Sequence, residues 1–202
     1  MPYGNLSAVS PRTRLAALAV LLLALVVVAV VVAHPTSSTP HSADLSKSTV
    51  SSALAGSPAV LASLHGQSSQ LLTGGPKAVH ARLKSLRGYP VVINKWASWC
   101  VPCQTEFPAY QRASVALGRK VAFIGINGKD KNPAAAAFLR RFPVSYPSYT
   151  DPGEAIARSV GAATYYPQTV YINRQGKEVY DHAGPYETAA ALERDIRRYA
   201  LQ

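Results

Sequence analysis

Val91-Val92-Ile93-Asn94-Lys95-Trp96-Ala97-Ser98-Trp99-Cys100-Val101-Pro102-Cys103 is the stretch on which the fold turns. Val91 to Ile93 is an apolar run of the kind that forms a buried strand, and it continues into Trp96. From Pro102 to Leu117 the chain reads as a helix, with Phe107, Tyr110 and Val115 as inward candidates. The two cysteines of a Cys-x-x-Cys therefore fall where a strand hands over to a helix. At such a helix start, unpaired backbone N–H groups and the macrodipole stabilise a thiolate. Cys100 is placed as an exposed attacking sulfur, and Cys103, one turn inside, as the thiol that resolves a mixed disulfide. Pro102 suits the first helical turn because its missing N–H would go unused there. Two other readings stand beside this one. A static disulfide of this spacing closes too small a loop to stabilise much. A metal site would need two more ligands, although copper(I) accepts two thiolates.

Outward from this stretch, helices and strands alternate. Lys77–Leu86 reads as a short amphipathic helix stopped by Gly88 and Pro90. Val121–Ile126 is a second apolar strand, and Pro133 opens a helix that continues over Ala134–Phe142. Glu154–Val160 is a further short helix. Thr169–Ile172 and Lys177–Asp181 flank a turn at Asn173–Gly176 and read as a hairpin, and Thr188–Leu201 closes the chain as a helix. Between Ala59 and Leu72 the apolar content suits either a helix or a strand. The order implies an α/β fold, a central mixed sheet flanked by helices on both faces.

Upstream the composition changes. Leu15 to Ala33 is apolar without interruption, and as a helix it would span about 28 Å, close to the hydrocarbon thickness of a bilayer. Arg12 and Arg14 precede it and no basic residue follows until Lys47, which orients the N-terminus to the cytoplasm and sends the rest across. The run is longer than the apolar core of most signal peptides, so residues 1–33 are expected to be a cytoplasmic tip and transmembrane anchor. Cleavage after Ala33 is the competing reading. Residues 34–57, rich in Ser, Thr and Pro, are expected to form a flexible linker, and residues 58–202 the folded domain.

The 202 residues carry a net charge of +11. The basic residues are scattered among acids with no aromatic interleaving, which argues against nucleic acid and for a solvated basic surface. With 2 cysteines in all, a disulfide scaffold and a multi-cysteine zinc module are excluded. The five histidines, His34, His41, His65, His80 and His182, show no metal-ligand spacing. No Pro-x-x-x-Thr-x-x-Cys pattern precedes Cys100, so a peroxiredoxin is not indicated.

The stretch Val91–Cys103 resembles the active-site strand and turn of the thioredoxin superfamily. Gln104-Thr105-Glu106-Phe107-Pro108 is similar to the TlpA/ResA-type membrane-tethered members, and Tyr166-Pro167-Gln168-Thr169-Val170-Tyr171-Ile172 to the family's cis-proline strand. Asn127 to Asp151 resembles the strand-and-helix insertion of the extracytoplasmic members. The likeness covers about residues 70–202 and implies a thioredoxin-like fold. It implies Cys100 as nucleophile, Cys103 as resolving thiol and Pro167 as the cis-proline packed against the disulfide. Tyr166 and Trp99 would contact a bound substrate, and Glu106 would tune the protonation of the cysteines. Two departures stand out: Asn94 occupies the place of a buried carboxylate, and Val101 that of a turn glycine.

The resemblance implies an extracytoplasmic thiol–disulfide oxidoreductase that needs no dissociable cofactor. Its partners would be the thiols and disulfides of exported proteins, apocytochrome c among them, with a membrane dithiol as electron donor. An oxidant that inserts disulfides into secreted proteins is the alternative within the class. A copper- or haem-delivery chaperone using the same dithiol is the alternative outside it.

Overall fold

In the computed structural model, residues 45–202 are described. The expected membrane anchor at Leu15–Ala33 and the first part of the expected linker lie outside them. Among the described residues no helix is long and apolar enough to cross a membrane.

The apolar runs pair as strands. β1 (Leu71–Leu72), β2 (Val91–Trp96), β3 (Ala122–Gly128), β4 (Ser148–Asp151), β5 (Gln168–Ile172) and β6 (Glu178–Ala183) form one sheet in the order β1-β4-β3-β2-β5-β6. β1, β4, β3 and β2 run parallel, while β5 and β6 are antiparallel additions. The helices are α1 (Lys47–Leu54), α2 (Ala59–His65), α3 (Gly75–Ser85), α4 (Val101–Leu117), α5 (Asn132–Arg141), α6 (Ala155–Ser159) and α7 (Ala189–Asp195). A π-helical turn, Ile196–Ala200, extends α7. The expected mixed α/β sheet flanked by helices is what the chain adopts.

β2 is central and buried along its whole length. Its side chains alternate between two cores, as the period of two in a strand requires. Val92 and Trp96 join Phe107 and Tyr110 of α4, Phe138 of α5 and Leu192 of α7. Val91 and Ile93 join Val79 of α3, Ile156 of α6 and Ile124 of β3 on the opposite face. Asn94 shares the first face and Lys95 the second, so β2 carries polar groups into both sides of the molecule next to the Cys-x-x-Cys.

One reading is revised and one left open is resolved. Residues 45–57 were expected within a flexible spacer, yet α1 forms there, capped by the Ser46 hydroxyl, which accepts the Thr49 N–H at 3.2 Å, and anchored by buried Leu54. Its Ser-rich composition hides a helix because one cap and one apolar anchor suffice when a folded neighbour covers it. Ala59–Leu72, left open between helix and strand, holds both, α2 and then β1.

Candidate active site

Cys100 is the N-cap of α4, and its sulfur accepts the Cys103 N–H at 3.2 Å. The two cysteines are joined by a disulfide. The helix therefore directs one of its otherwise unpaired N–H groups, together with the positive end of its dipole, at the Cys100 sulfur. The expected exposed sulfur is not found in this oxidised state. Cys100 is 3% exposed and Cys103 0%, while the flanking Trp99 (53%) and Val101 (66%) stand open to solvent. The apolar surface around the disulfide is thus supplied by the neighbours of the cysteines.

Glu106 lies one turn beyond Cys103 on the same face of α4. It is fully buried, an unusual place for a carboxyl group. The Asn94 amide donates to its Oε1 at 2.9 Å and the Tyr186 N–H to its Oε2 at 3.2 Å. Burial pushes its pKa up to about 8, against the opposing pull of those two hydrogen bonds. Asn94, which departs from the thioredoxin pattern, is thus the partner of a carboxyl group that arrives from the helix instead of the strand.

Trp99 and Tyr166 meet across two loops, their ring centroids 5.0 Å apart. The Trp99 indole donates to the Lys129 carbonyl at 2.9 Å. Asp130 ties the same loops together: it accepts from the Ser98 N–H at 2.6 Å, the Ser98 hydroxyl at 2.8 Å and the Asn127 amide at 2.9 Å. Burial acts to raise the Asp130 pKa, but these donors and the Lys131 N–H outweigh it and hold the carboxyl below its ordinary value. The Tyr166–Pro167 peptide bond is cis, and the Gly184 N–H donates to the Pro167 carbonyl at 3.1 Å. Among the described residues no main-chain hydrogen bond engages Tyr166.

Sequence reasoning passed over Lys95, Glu154, Lys129 and Asp130. Lys95 is completely buried and pairs with Glu154 at 2.8 Å, and Lys129 reaches the other oxygen of Glu154 at 2.9 Å. One signal was available: a lysine inside the apolar run Val91–Trp96 must find a counter-charge, because an unpaired buried ammonium is very costly. The identity of that counter-charge, 59 residues downstream, was not legible. Among the described residues no group of three or more His, Cys, Asp or Glu side chains gathers to hold a metal ion.

A capped cysteine pair at a helix start, one turn from a buried carboxyl group, is suited to two-electron exchange between a dithiol and a disulfide. The profile of the family described as Redoxin matches residues 32–196. The chain belongs to the Redoxin family. Within it, the chain is 26% identical over 117 residues to the thiol-disulfide oxidoreductase ResA of Bacillus thuringiensis subsp. konkukian, covering 57% of this chain and 66% of that one. It is 39% identical over 61 residues to the thiol:disulfide interchange protein DsbE of Pseudomonas fluorescens biotype C, 30% of this chain and 33% of that one. The chain thus spans from a third to about two thirds of these relatives' lengths. Among solved structures, MTB dsbF in its mixed oxidized and reduced forms superposes with a TM-score of 0.53 at 27% identity, covering 57% of this chain and 84% of that one. A DsbF homologue from Corynebacterium diphtheriae gives 0.50 at 26% identity, covering 57% and 75%. This Redoxin-family chain therefore has a thioredoxin-like fold of the TlpA/ResA kind.

Proposed function

We propose that the protein is a membrane-tethered, extracytoplasmic thiol–disulfide oxidoreductase that reduces disulfides of exported proteins. The observation that carries the reading is the Cys100 sulfur, seated as the N-cap of α4 and accepting the Cys103 N–H. In the reduced protein the Cys100 thiolate attacks one sulfur of a substrate disulfide. A mixed disulfide forms and one substrate thiolate leaves. Cys103 then loses its proton and attacks the Cys100 sulfur, releasing the second substrate thiolate and restoring the Cys100–Cys103 disulfide. Two electrons pass to the substrate, and a membrane dithiol, itself oxidised to a disulfide, supplies two more to reduce Cys100–Cys103 again.

Glu106 in its ionised form, the minority form at neutral pH, is the acceptor we assign to the Cys103 proton. Its pKa of about 8 lies close to that of an ordinary thiol, about 8.5, so transfer between them is nearly balanced. Trp99, Tyr166 and Pro167 form the substrate contact, with the unengaged main chain of Tyr166 as a partner for an extended segment. The tether in this reading is the apolar run Leu15–Ala33, and its preceding arginines support an orientation with the domain outside the cytoplasm. The likeness to a thiol-disulfide oxidoreductase and a thiol:disulfide interchange protein supports disulfide exchange, and with the domain outside the cytoplasm its substrates are exported proteins, among which we include apocytochrome c.

A redox titration against glutathione, beside an insulin-reduction assay, tests the direction. A potential near about −270 mV with insulin reduction supports a reductant, and one near about −120 mV assigns the protein to disulfide formation instead. Cys103→Ser is expected to trap partners as mixed disulfides through Cys100, and Cys100→Ser to abolish exchange. Retained exchange in Cys100→Ser sinks the mechanism.

A further inference from the structure

The Lys95–Glu154 pair lies on the face of β2 opposite Glu106, outside the proton path above, and a buried ion pair is weak support for stability by itself. Its geometry points elsewhere. Glu154 Oε1 forms an ion pair with the Lys95 ammonium at 2.8 Å and accepts from the Tyr166 hydroxyl, also at 2.8 Å, while Oε2 pairs with the Lys129 ammonium at 2.9 Å. The Lys95 ammonium also lies over the Tyr166 ring, 4.0 Å from its centroid. Tyr166 directly precedes cis-Pro167, and Lys129 supplies the carbonyl that holds the Trp99 indole. One carboxylate thus grips the Tyr166–Pro167 loop with one oxygen and, with the other, Lys129 in the loop after β3, whose carbonyl holds the Trp99 indole.

The local backbone is shaped to deliver this carboxylate. Glu154 precedes α6 in the left-handed region at φ 56°, and Lys129 is also left-handed at φ 47°. Such conformations cost free energy in non-glycine residues and persist only where surrounding contacts hold them. Gly128 completes the fit, since a Cβ there would approach the Tyr166 ring carbon Cζ to 3.2 Å and overlap its hydroxyl. The ion pairs with Lys95 and Lys129 and the Tyr166 hydrogen bond overcome the penalty of burial and hold Glu154 ionised, its pKa lowered to about 2.

We propose that Glu154, held by Lys95, is a positioning residue that sets the separation of Trp99 and Tyr166 and so governs affinity for polypeptide disulfides without altering the thiol chemistry. The proposal rests on the oxidoreductase reading. Neither Lys95 nor Glu154 touches a reacting atom, and their effect passes through the two aromatic side chains.

The test uses the full chain in detergent, with oxidised insulin and dithiothreitol as the two reactants. Glu154→Gln is expected to raise KM for insulin about tenfold with kcat nearly unchanged. Its rate with dithiothreitol and its potential against glutathione should stay within about twofold of the parent. Tyr166→Phe removes only one arm of the grip and should reproduce part of the KM effect. The double variant should be no worse than Glu154→Gln alone, because both act through the same hydrogen bond. Lys129→Ala, an exposed position, is the variant that folds even if Glu154→Gln does not, and it too should raise KM for insulin. An unchanged KM in these variants, additive effects in the double variant, or an equal fall with dithiothreitol overturns the proposal. A parent chain inert towards both reactants overturns the oxidoreductase reading and takes this inference with it.

Discussion

Glu106 holds its proton in the folded, oxidised protein up to about pH 8, whereas an ordinary glutamate loses it near 4.5. Between those values the folded state binds more protons than the unfolded one, so stability is greatest on the acid side. It declines as pH rises, by up to about 1.4 kcal/mol per unit, and the decline ends above pH 8. The buried phenols of Tyr110, Tyr146 and Tyr171, which feel the Glu106 charge, have pKa values raised above 10 and stay neutral throughout. Glu106→Gln should therefore flatten the stability profile between pH 5 and 8, read as urea midpoints across that range. A Glu106→Gln profile as steep as the parent's would remove this carboxyl as the source of the slope.

The loops beside the disulfide are held by side chains of the elements that flank them. Asp130 stands just past β3 and gathers donors from Ser98, Asn127 and Lys131. Asp130→Ala leaves the donors of half-buried Ser98 and buried Asn127 without an acceptor, at a cost of about 1–3 kcal/mol in chemical denaturation. Because the Asp130 carboxyl is held below its ordinary pKa, its contribution is present at neutral pH and is lost as pH falls below about 4. The variant and the parent should therefore converge in stability at low pH. At the end of β3, Gly128→Ala should displace the Tyr166 phenol from Glu154, costing about 1–3 kcal/mol and raising KM for insulin. An alanine there with parental stability and KM would show that the contact yields.

Two cores on the two faces of one sheet stabilise the whole domain. In the larger one, Phe138 stacks on Trp96 with ring centroids 4.7 Å apart and meets Phe107 edge-on, also at 4.7 Å. Phe138→Ala should cost about 3–5 kcal/mol, measured by urea unfolding. This cluster backs the helix that carries both cysteines, so the same variant should loosen the disulfide and speed its reduction by dithiothreitol. The described residues also form a compact unit of their own. Expressed alone, residues 45–202 are expected to unfold in a single cooperative transition, and a biphasic curve would contradict that.

Much of this architecture was legible along the chain. The run Val91–Trp96, the Cys-x-x-Cys at a strand-to-helix junction and the proline in the first helical turn are local signals, and local signals are what a sequence records directly. They determined the strand-to-helix junction, the mixed α/β class, the redox pair and the position of Glu106 one turn on, but not β1, β4 or α1. What the tertiary structure alone decided depends on chain segments far apart in sequence. The partner of Lys95 is Glu154, Tyr186 reaches Glu106 from 80 residues away, and Asp130 grips Ser98 across 32. The charge state of each carboxyl group followed from those encounters. Burial without a counter-charge leaves Glu106 with a raised pKa, whereas two lysines hold Glu154 ionised, and no local pattern distinguishes the two glutamates.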